Sequence, residues 1–382
     1  MLLKLSLVFT IFWLYHCVTS KKIPFSDFFL PLSIDGYLCG ENLYNILSIR
    51  DAATKAHRSF LFESPPSKFP AYFEDWSTFS VVDEIFLTWP LILSDRSSST
   101  IGRDRVVINS KGQIMGAITV NFDETVNSAS NYKKCTPISF NPSPEENLSA
   151  DLDLFWSKEY PTMGYGCGPY LLPNLEIDRL RIFISNRHLK RQVQYMRGTD
   201  QPREYTGNLF NGDKLLAYNP YKKNELGSAS GQSMPCRIIF NLSEGIKGVI
   251  YGANLDTKCQ KVFDISKLVY DPPQIPVTIT DYEKMEEKNR EYSCANEMLR
   301  LGLVLNFINF AKAQISRGLV DDGSQYPILQ DSNLLLWPIR LPEKLNDNLP
   351  IIFAVGYSLN DKKFEVYYSL LLLDKYIKYT KC

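Results

Sequence analysis

Residues 102–120 read Gly-Arg-Asp-Arg-Val-Val-Ile-Asn-Ser-Lys-Gly-Gln-Ile-Met-Gly-Ala-Ile-Thr-Val. Two β-branched runs, Arg105–Asn109 and Ile114–Val120, flank a turn signal at Ser110–Gly112. That is the pattern of an antiparallel hairpin. It recurs as Arg237–Asn241, a turn near Gly245 and Ile246–Tyr251. A third version is Ile351–Val355, a turn at Asn360–Lys363 and Phe364–Tyr368. Ahead of each hairpin lies a short apolar run containing proline: Leu87–Ile92, Ala217–Tyr221 and Leu335–Ile339. Earlier still comes a helix-like stretch: Ile49–Phe60, Leu175–Leu189 and Leu303–Ile315. In the second of these Ile177, Leu180, Ile184 and Leu189 trace one apolar helical face.

The cysteines keep the same beat. Tyr-x-Cys occurs at Cys39, Cys167 and Cys294, at spacings of 128 and 127 residues. Lys-Cys occurs at Cys135, Cys259 and Cys382, at spacings of 124 and 123. Two independent markers with nearly one period indicate a triplicated unit. Each unit is large enough to be a small domain with its own core. One helix, then an antiparallel sheet, gives an α+β fold class, closed by a clasp joining the ends of each unit. The expected bridges are Cys39–Cys135, Cys167–Cys259 and Cys294–Cys382, with Cys236 left unpaired. In entropy models each such loop of about 100 residues stabilises by roughly 4–5 kcal/mol. The expected domains are 33–138, 161–263 and 289–382. The chain after each closing cysteine, Thr136–Glu159 and Gln260–Lys288, reads as linker, exposed and extended around Asn141-Pro142-Ser143-Pro144.

Residues 1–20, with Lys4 ahead of an apolar run from Leu5 to Tyr15 and Ser20 before Lys21-Lys22, read as a secretory signal peptide. Some 11 apolar residues are too few to span a bilayer, which takes about 20. The expected mature chain is soluble and secreted, with no membrane partner. Removing the signal takes away Cys17 and His16 and leaves an odd number of cysteines, so Cys236 is a buried or free thiol or bridges two chains. Asn147-Leu148-Ser149 and Asn241-Leu242-Ser243 are glycosylation sequons, at Asn147 in a linker and Asn241 at a hairpin turn. Lys plus Arg and Asp plus Glu each total 42, which argues against a generic polyanion binder. Residues 151–275 carry 16 basic and 13 acidic side chains, too small a surplus to claim nucleic-acid binding.

Gly102–Asn109 with Gly112-Gln113 and Gly116–Thr119, together with Thr88-Trp89-Pro90 and Phe69-Pro70-Ala71-Tyr72, resembles the small secreted fungal ribonucleases specific for guanine and their ribotoxin relatives. Tandem units with Tyr-x-Cys near the mature N-terminus resemble the ribonuclease-like secreted effectors of powdery mildew fungi. The resemblance implies a carboxylate base, a histidine acid, and a second histidine and an arginine that stabilise phosphate charge. In the first unit the carboxylate position is Thr88, the loop-histidine position Ala71 and the strand-end position Val120, so only Arg105 survives. In the second the corresponding positions are Tyr218, Gly207 and Gly252, with Arg237 kept. In the third they are Leu336, Ile328 and Leu370, or Ser369 in another register, and the arginine is lost. His57 and His188 occupy no motif position, and Asp104 beside Arg105 reads as a structural ion pair.

Three functions follow as expectations. The first is a monomeric, secreted, non-catalytic effector that binds host RNA or a host protein, outside the host cell or after entering it. The second is an active ribonuclease with rearranged catalysts, and the third an extracellular structural or adhesive protein. None of the three calls for a metal, another cofactor or DNA.

Overall fold

A computed structural model describes residues 34–62, 68–79, 84–93, 101–120, 132–140, 161–185, 202–219, 221–223, 229–233, 236–252, 257–267, 290–295, 297–318, 326–330, 332–343, 351–370 and 378–382. Residues 1–20, expected as a signal peptide, the sequence around Asn141–Pro144, expected as linker, and Asn147 and His188 lie outside the described residues.

The fold is α+β, with three α-helices and a 3-10 turn at Trp76–Phe79 among the described residues, and antiparallel sheets. Unit one runs β1 (Gly36–Cys39), β2 (Asn42–Asn45), α1 (Ile46–Phe62), β3 (Ala71–Tyr72), β4 (Phe86–Pro90), β5 (Asp104–Asn109), β6 (Ile114–Val120), β7 (Tyr132–Lys134) and β8 (Thr136–Ser139). Unit two runs β9 (Thr162–Cys167), β10 (Tyr170–Pro173), α2 (Asn174–Ser185), β11 (Arg203–Glu204), β12 (Leu216–Tyr218), β13 (Tyr221–Lys223), β14 (Ala229–Ser233), β15 (Cys236–Asn241), β16 (Gly245–Tyr251), β17 (Thr257–Lys258) and β18 (Gln260–Asp264). Unit three runs β19 (Glu291–Cys294), β20 (Glu297–Arg300), α3 (Leu301–Ser316), β21 (Ile328–Gln330), β22 (Leu334–Pro338), β23 (Ile351–Ser358), β24 (Lys363–Leu370) and β25 (Thr380–Lys381).

Each unit has a five-stranded sheet of one order: β3-β4-β5-β6-β7, β11-β12-β15-β16-β17 and β21-β22-β23-β24-β25. The closing cysteines repeat one contact. Cys135 N–H donates to Ala117 O, Cys259 N–H to Val249 O and Cys382 N–H to Val366 O, at 2.9, 2.9 and 3.0 Å. Cys39 is bonded to Cys135, Cys167 to Cys259 and Cys294 to Cys382. The opening Tyr-x-Cys lies in the first strand of a hairpin that precedes the helix, an element the sequence reading did not assign. Its turn needs a left-handed residue directly after the cysteine. Gly40, Gly168 and Ala295 stand there at φ 62°, 61° and 52°.

The helices differ in what covers them. α2 buries the stripe Ile177, Leu180 and Ile184 and leaves Leu175 and Ile182 exposed, as an amphipathic surface helix does. α1 buries Ile49, Ala52, Ala53, Ala56 and Phe60. α3 buries Leu303, Val304, Phe307 and Ala311. These last two helices contribute to one cluster, so units one and three share a core rather than owning one each. The Phe60 and Phe310 rings meet at a tilt with centroids 5.5 Å apart, and Asn306 Nδ2 donates to Tyr72 OH at 3.0 Å. Arg340 donates to Ser59 O at 3.1 Å. The alanines of α1 permit that approach, and the largely apolar first three turns of α3 suit a helix covered on more than one side.

Units one and two join differently. β1-β2-β10-β9-β18-β8 close into a barrel around Leu38, Leu43, Ile138, Leu171 and Val262. The residues after each closing cysteine are therefore strands, not exposed linker, as far as Ser139 and Asp264. Short runs such as Thr136-Pro137-Ile138-Ser139 become strands because the disulfide sets them beside β1, where Asp35 N–H donates to Ile138 O at 2.9 Å. Among the described residues β19 and β20 pair only with each other.

A side chain in the left-handed region costs about 1–2 kcal/mol, and glycine avoids that at some cost in unfolded-chain entropy. Replacing Ala295 with Gly, the residue of the other two units, is expected to raise stability by about 0.5–1 kcal/mol in denaturant titration.

Candidate functional site

Residues directly opposite in an antiparallel pair share a face, and alternate residues of a strand share a face. The pairs Ala71↔Thr88, Thr88↔Val107 and Arg105↔Ile118 therefore place Ala71, Thr88, Arg105 and Val120 together. α1 packs on the other face, against Leu87, Val106, Ile108 and Ala117. The positions singled out in the first unit thus converge on the helix-free face of its sheet. His57 does not join them, because it sits on α1.

That face holds no acid or base at these positions. Ala71, Thr88 and Val120 are buried, and Thr88 Oγ1 donates to Ala71 O at 3.3 Å. Arg105 is 1% exposed. Its Nη1 donates to Gly102 O and Asp104 O at 2.5 and 3.0 Å. Its Nε and Nη2 donate to the two carboxylate oxygens of Glu343, in unit three, at 3.2 and 2.8 Å. The Phe69 ring lies 5.2 Å from the guanidinium, and Lys68 Nζ is 3.9 Å from Glu343. Glu343 reaches this place because Tyr72 N–H donates to Leu341 O at 2.9 Å and Tyr72 pairs with Pro342 as a parallel bridge on the β3 edge.

The expected ion pair between Asp104 and Arg105 is absent. Neighbouring residues of a strand point to opposite faces, so the Asp104 carboxylate turns to the barrel side. There it accepts from Asn42 Nδ2, Tyr44 OH and Thr119 Oγ1 at 2.8, 2.9 and 2.7 Å.

In unit two β15 aligns with β5, which puts Arg237 at the place of Arg105. Ala217↔Ile239 then matches Thr88↔Val107, and Arg203↔Ala217 matches Ala71↔Thr88. The equivalents of Thr88 and Ala71 are Ala217 and Arg203, not Tyr218 and Gly207. Matching the two prolines, Pro90 and Pro220, misplaces the strand by one residue, and a one-residue slip turns every side chain to the other face. Tyr218 packs on the helix side. Gly252 follows Tyr251, the partner of Cys236, and keeps its place. In unit three Ile328 and Leu336 keep theirs, Ala354 stands at the arginine position, and Ser369 rather than Leu370 ends the strand face.

Asn109 and Asn241 do the same work at their hairpin turns. Asn109 Oδ1 accepts from Lys111 and Gln113 N–H. Asn241 Oδ1 accepts from Ser243 N–H at 2.7 Å, and its Nδ2 donates to Asp213 O at 2.6 Å. The Asn241 amide that a glycan would use is buried and bonded in the fold. Cys236 is 1% exposed, in the core cluster that holds Cys167, and forms no disulfide. Burial pushes its thiol up to about 12. That matches a buried free thiol and leaves no sulfur surface for a bridge between chains. No group of metal-ligating side chains occurs among the described residues.

Glu343, Lys68 and Arg203 were not singled out from sequence. Glu343 lies 238 residues from Arg105 and carries no motif. Only the register reveals Arg203. No family model matches the chain, and no curated protein matches it significantly.

Glu343→Ala leaves a buried guanidinium without its carboxylate, and a loss of roughly 3–5 kcal/mol is expected in urea unfolding. Arg105→Met combined with Glu343→Leu should recover most of it. Cys236 should resist alkylation in the folded protein and react only on unfolding, read by mass spectrometry. The sign with pH follows. From about 9 to about 12 the unfolded thiol gives up its proton while the folded one keeps it, so stability falls as pH rises through that window.

Proposed function

We propose that this chain is a non-catalytic, secreted binding protein of the effector type, built on degenerate ribonuclease-like units, whose partner is a macromolecule of a host. The observation that carries the reading is the use made of Arg105. The one ionic group kept from the family's site is buried and held by the chain's own Glu343. Around it stand Ala71, Thr88 and Val120, none of which can exchange a proton near neutral pH. General acid and base groups typically contribute about 10²–10⁴-fold each, and this face holds neither at those positions. Four of the five N–H groups of Arg105 are already taken, two by the Glu343 carboxylate and two by Gly102 O and Asp104 O, so its forked face is closed to a phosphate. Unit two keeps Arg237, but with Arg203, Ala217 and Gly252 beside it no base or acid stands there either.

A scaffold that has lost its chemistry but keeps its sheets and clasps is suited to present surfaces. The three units offer different ones, because units one and three are fused at their cores while the helix of unit two leaves Leu175 and Ile182 exposed among the described residues. A protein partner is favoured over RNA. The arginine in unit one takes a carboxylate, and the chain as a whole has no cationic excess.

The mature protein is expected to cleave RNA no faster than buffer, with Arg105→Ala without effect on that background. Gel analysis of a structured RNA after long incubation is the measurement. Guanine-specific cleavage lost on Arg237→Ala would overturn the reading.

A further inference from the structure

The chain contains its own example of how one of these sheets receives a ligand. On unit one the segment Leu341-Pro342-Glu343 lies along the β3 edge. It accepts the Tyr72 N–H through Leu341 O, and its glutamate forks onto Arg105. Two elements make that seat: an outward backbone N–H on the edge strand, and an arginine on the helix-free face.

Unit two has both elements, and among the described residues no segment occupies them. Tyr205 N–H donates to Leu215 O at 2.8 Å, as Phe73 N–H donates to Phe86 O at 2.9 Å. β11 therefore has the hydrogen-bond phase of β3, and Glu204 holds the place of Tyr72. By the alternation of an antiparallel ladder, the Glu204 N–H points away from β12. β11 is the edge of its sheet. Arg203 and Glu204 are exposed. Arg237, at the place of buried Arg105, is only half-buried and makes no ion pair among the described residues.

Two more cations share that face. Arg203 is opposite Ala217, which is opposite Ile239, two residues from Arg237. Lys258 is opposite Ile250, itself opposite Arg237, and its Nζ lies 4.8 Å from the centre of the Phe210 ring. With strands about 4.8 Å apart, Arg203 and Lys258 stand on either side of Arg237 at roughly 10–12 Å between Cα atoms. Leu215, Ala217, Ile239 and Ile250 are buried between them beneath Tyr205, Leu209 and Phe210, so the cations stand at the margins of a small apolar cap.

We infer that the helix-free face of unit two, with the free edge of β11, is a docking site for an extended acidic segment of a partner protein. The segment adds to the edge by accepting the Glu204 N–H and places a carboxylate on Arg237. Arg203 and Lys258 favour further acidic residues before and after it. Strand addition supplies affinity through the main chain, and the forked arginine supplies the preference for carboxylate. The inference deepens the binding reading above and rests on it for the nature of the partner.

The test uses the full mature chain and a fluorescein-labelled peptide of residues 339–343 carrying Arg340→Glu, so that the probe is net acidic. Binding is read by anisotropy at low and physiological salt. The peptide is expected to bind more weakly as salt rises, and roughly tenfold more weakly with Glu343→Gln in the peptide. Arg237→Ala in the protein should cost a similar factor. The exposed Arg203→Ala, which does not threaten the fold, should weaken binding several-fold. Hydrogen exchange should slow at Glu204 when the peptide is bound. No binding, or binding indifferent to Glu343→Gln, Arg237→Ala and Arg203→Ala, would overturn the inference. So would a single-stranded RNA oligomer that binds through Arg237 where the peptide does not. RNA cleavage by the protein would overturn the proposed function and leave the peptide result standing, so the two failures are distinguishable.

Discussion

A guanidinium with 1% of its surface exposed has to be paired. Arg105 is paired by a carboxylate from the far end of the chain, and much of the architecture follows from that need. To deliver Glu343, the strand that ends at Pro338 must run on along the edge of the first sheet. That brings β22 and its sheet beside α1. α3 then closes over the shared apolar cluster, with Asn306 tied to Tyr72 and Arg340 tied to Ser59. Phe69 under the guanidinium and Lys68 beside the carboxylate complete a seat made from both units.

The same unit is therefore joined to its copies in two ways. With the third it shares an apolar core and one buried ion pair. With the second it shares a barrel made from the opening hairpins and the strands that follow Cys135 and Cys259. The two joints use different surfaces of unit one, which explains how a repeat of one design is held by both neighbours without a clash. Asp104 belongs to the barrel joint and Arg105 to the core joint, although they are adjacent in sequence. The alternation of side chains along β5 separates them.

Unit two is the copy whose sheet face is least enclosed among the described residues. Its arginine is half-buried where that of unit one is sealed, and its helix leaves Leu175 and Ile182 exposed. The cost of burying Arg105 without Glu343 and the openness of Arg237 are two outcomes of one position in one sheet.

The sequence by itself determined the repeat, its three clasps, the helix in each unit and the main hairpins. Those are written in local periodicity and in cysteine spacing, which do not depend on what lies across the fold. Only through the resemblance to the fungal ribonucleases did it also place Ala71, Thr88, Arg105 and Val120 on one site, and the strand register brings those four positions together. Where that register had to be guessed from a proline, as at Tyr218, the reading slipped by one residue and landed on the wrong face, and Gly207 stands four residues past the true position at Arg203. The opening hairpins escaped notice because each strand is four residues or so and has no period to detect. Only the tertiary structure decided that Thr136–Ser139 is a barrel strand, that units one and three share a core, and that Glu343 answers Arg105. Each of these joins segments a hundred or more residues apart, and the free energy of burying a surface or pairing a charge depends on which segment comes to cover it.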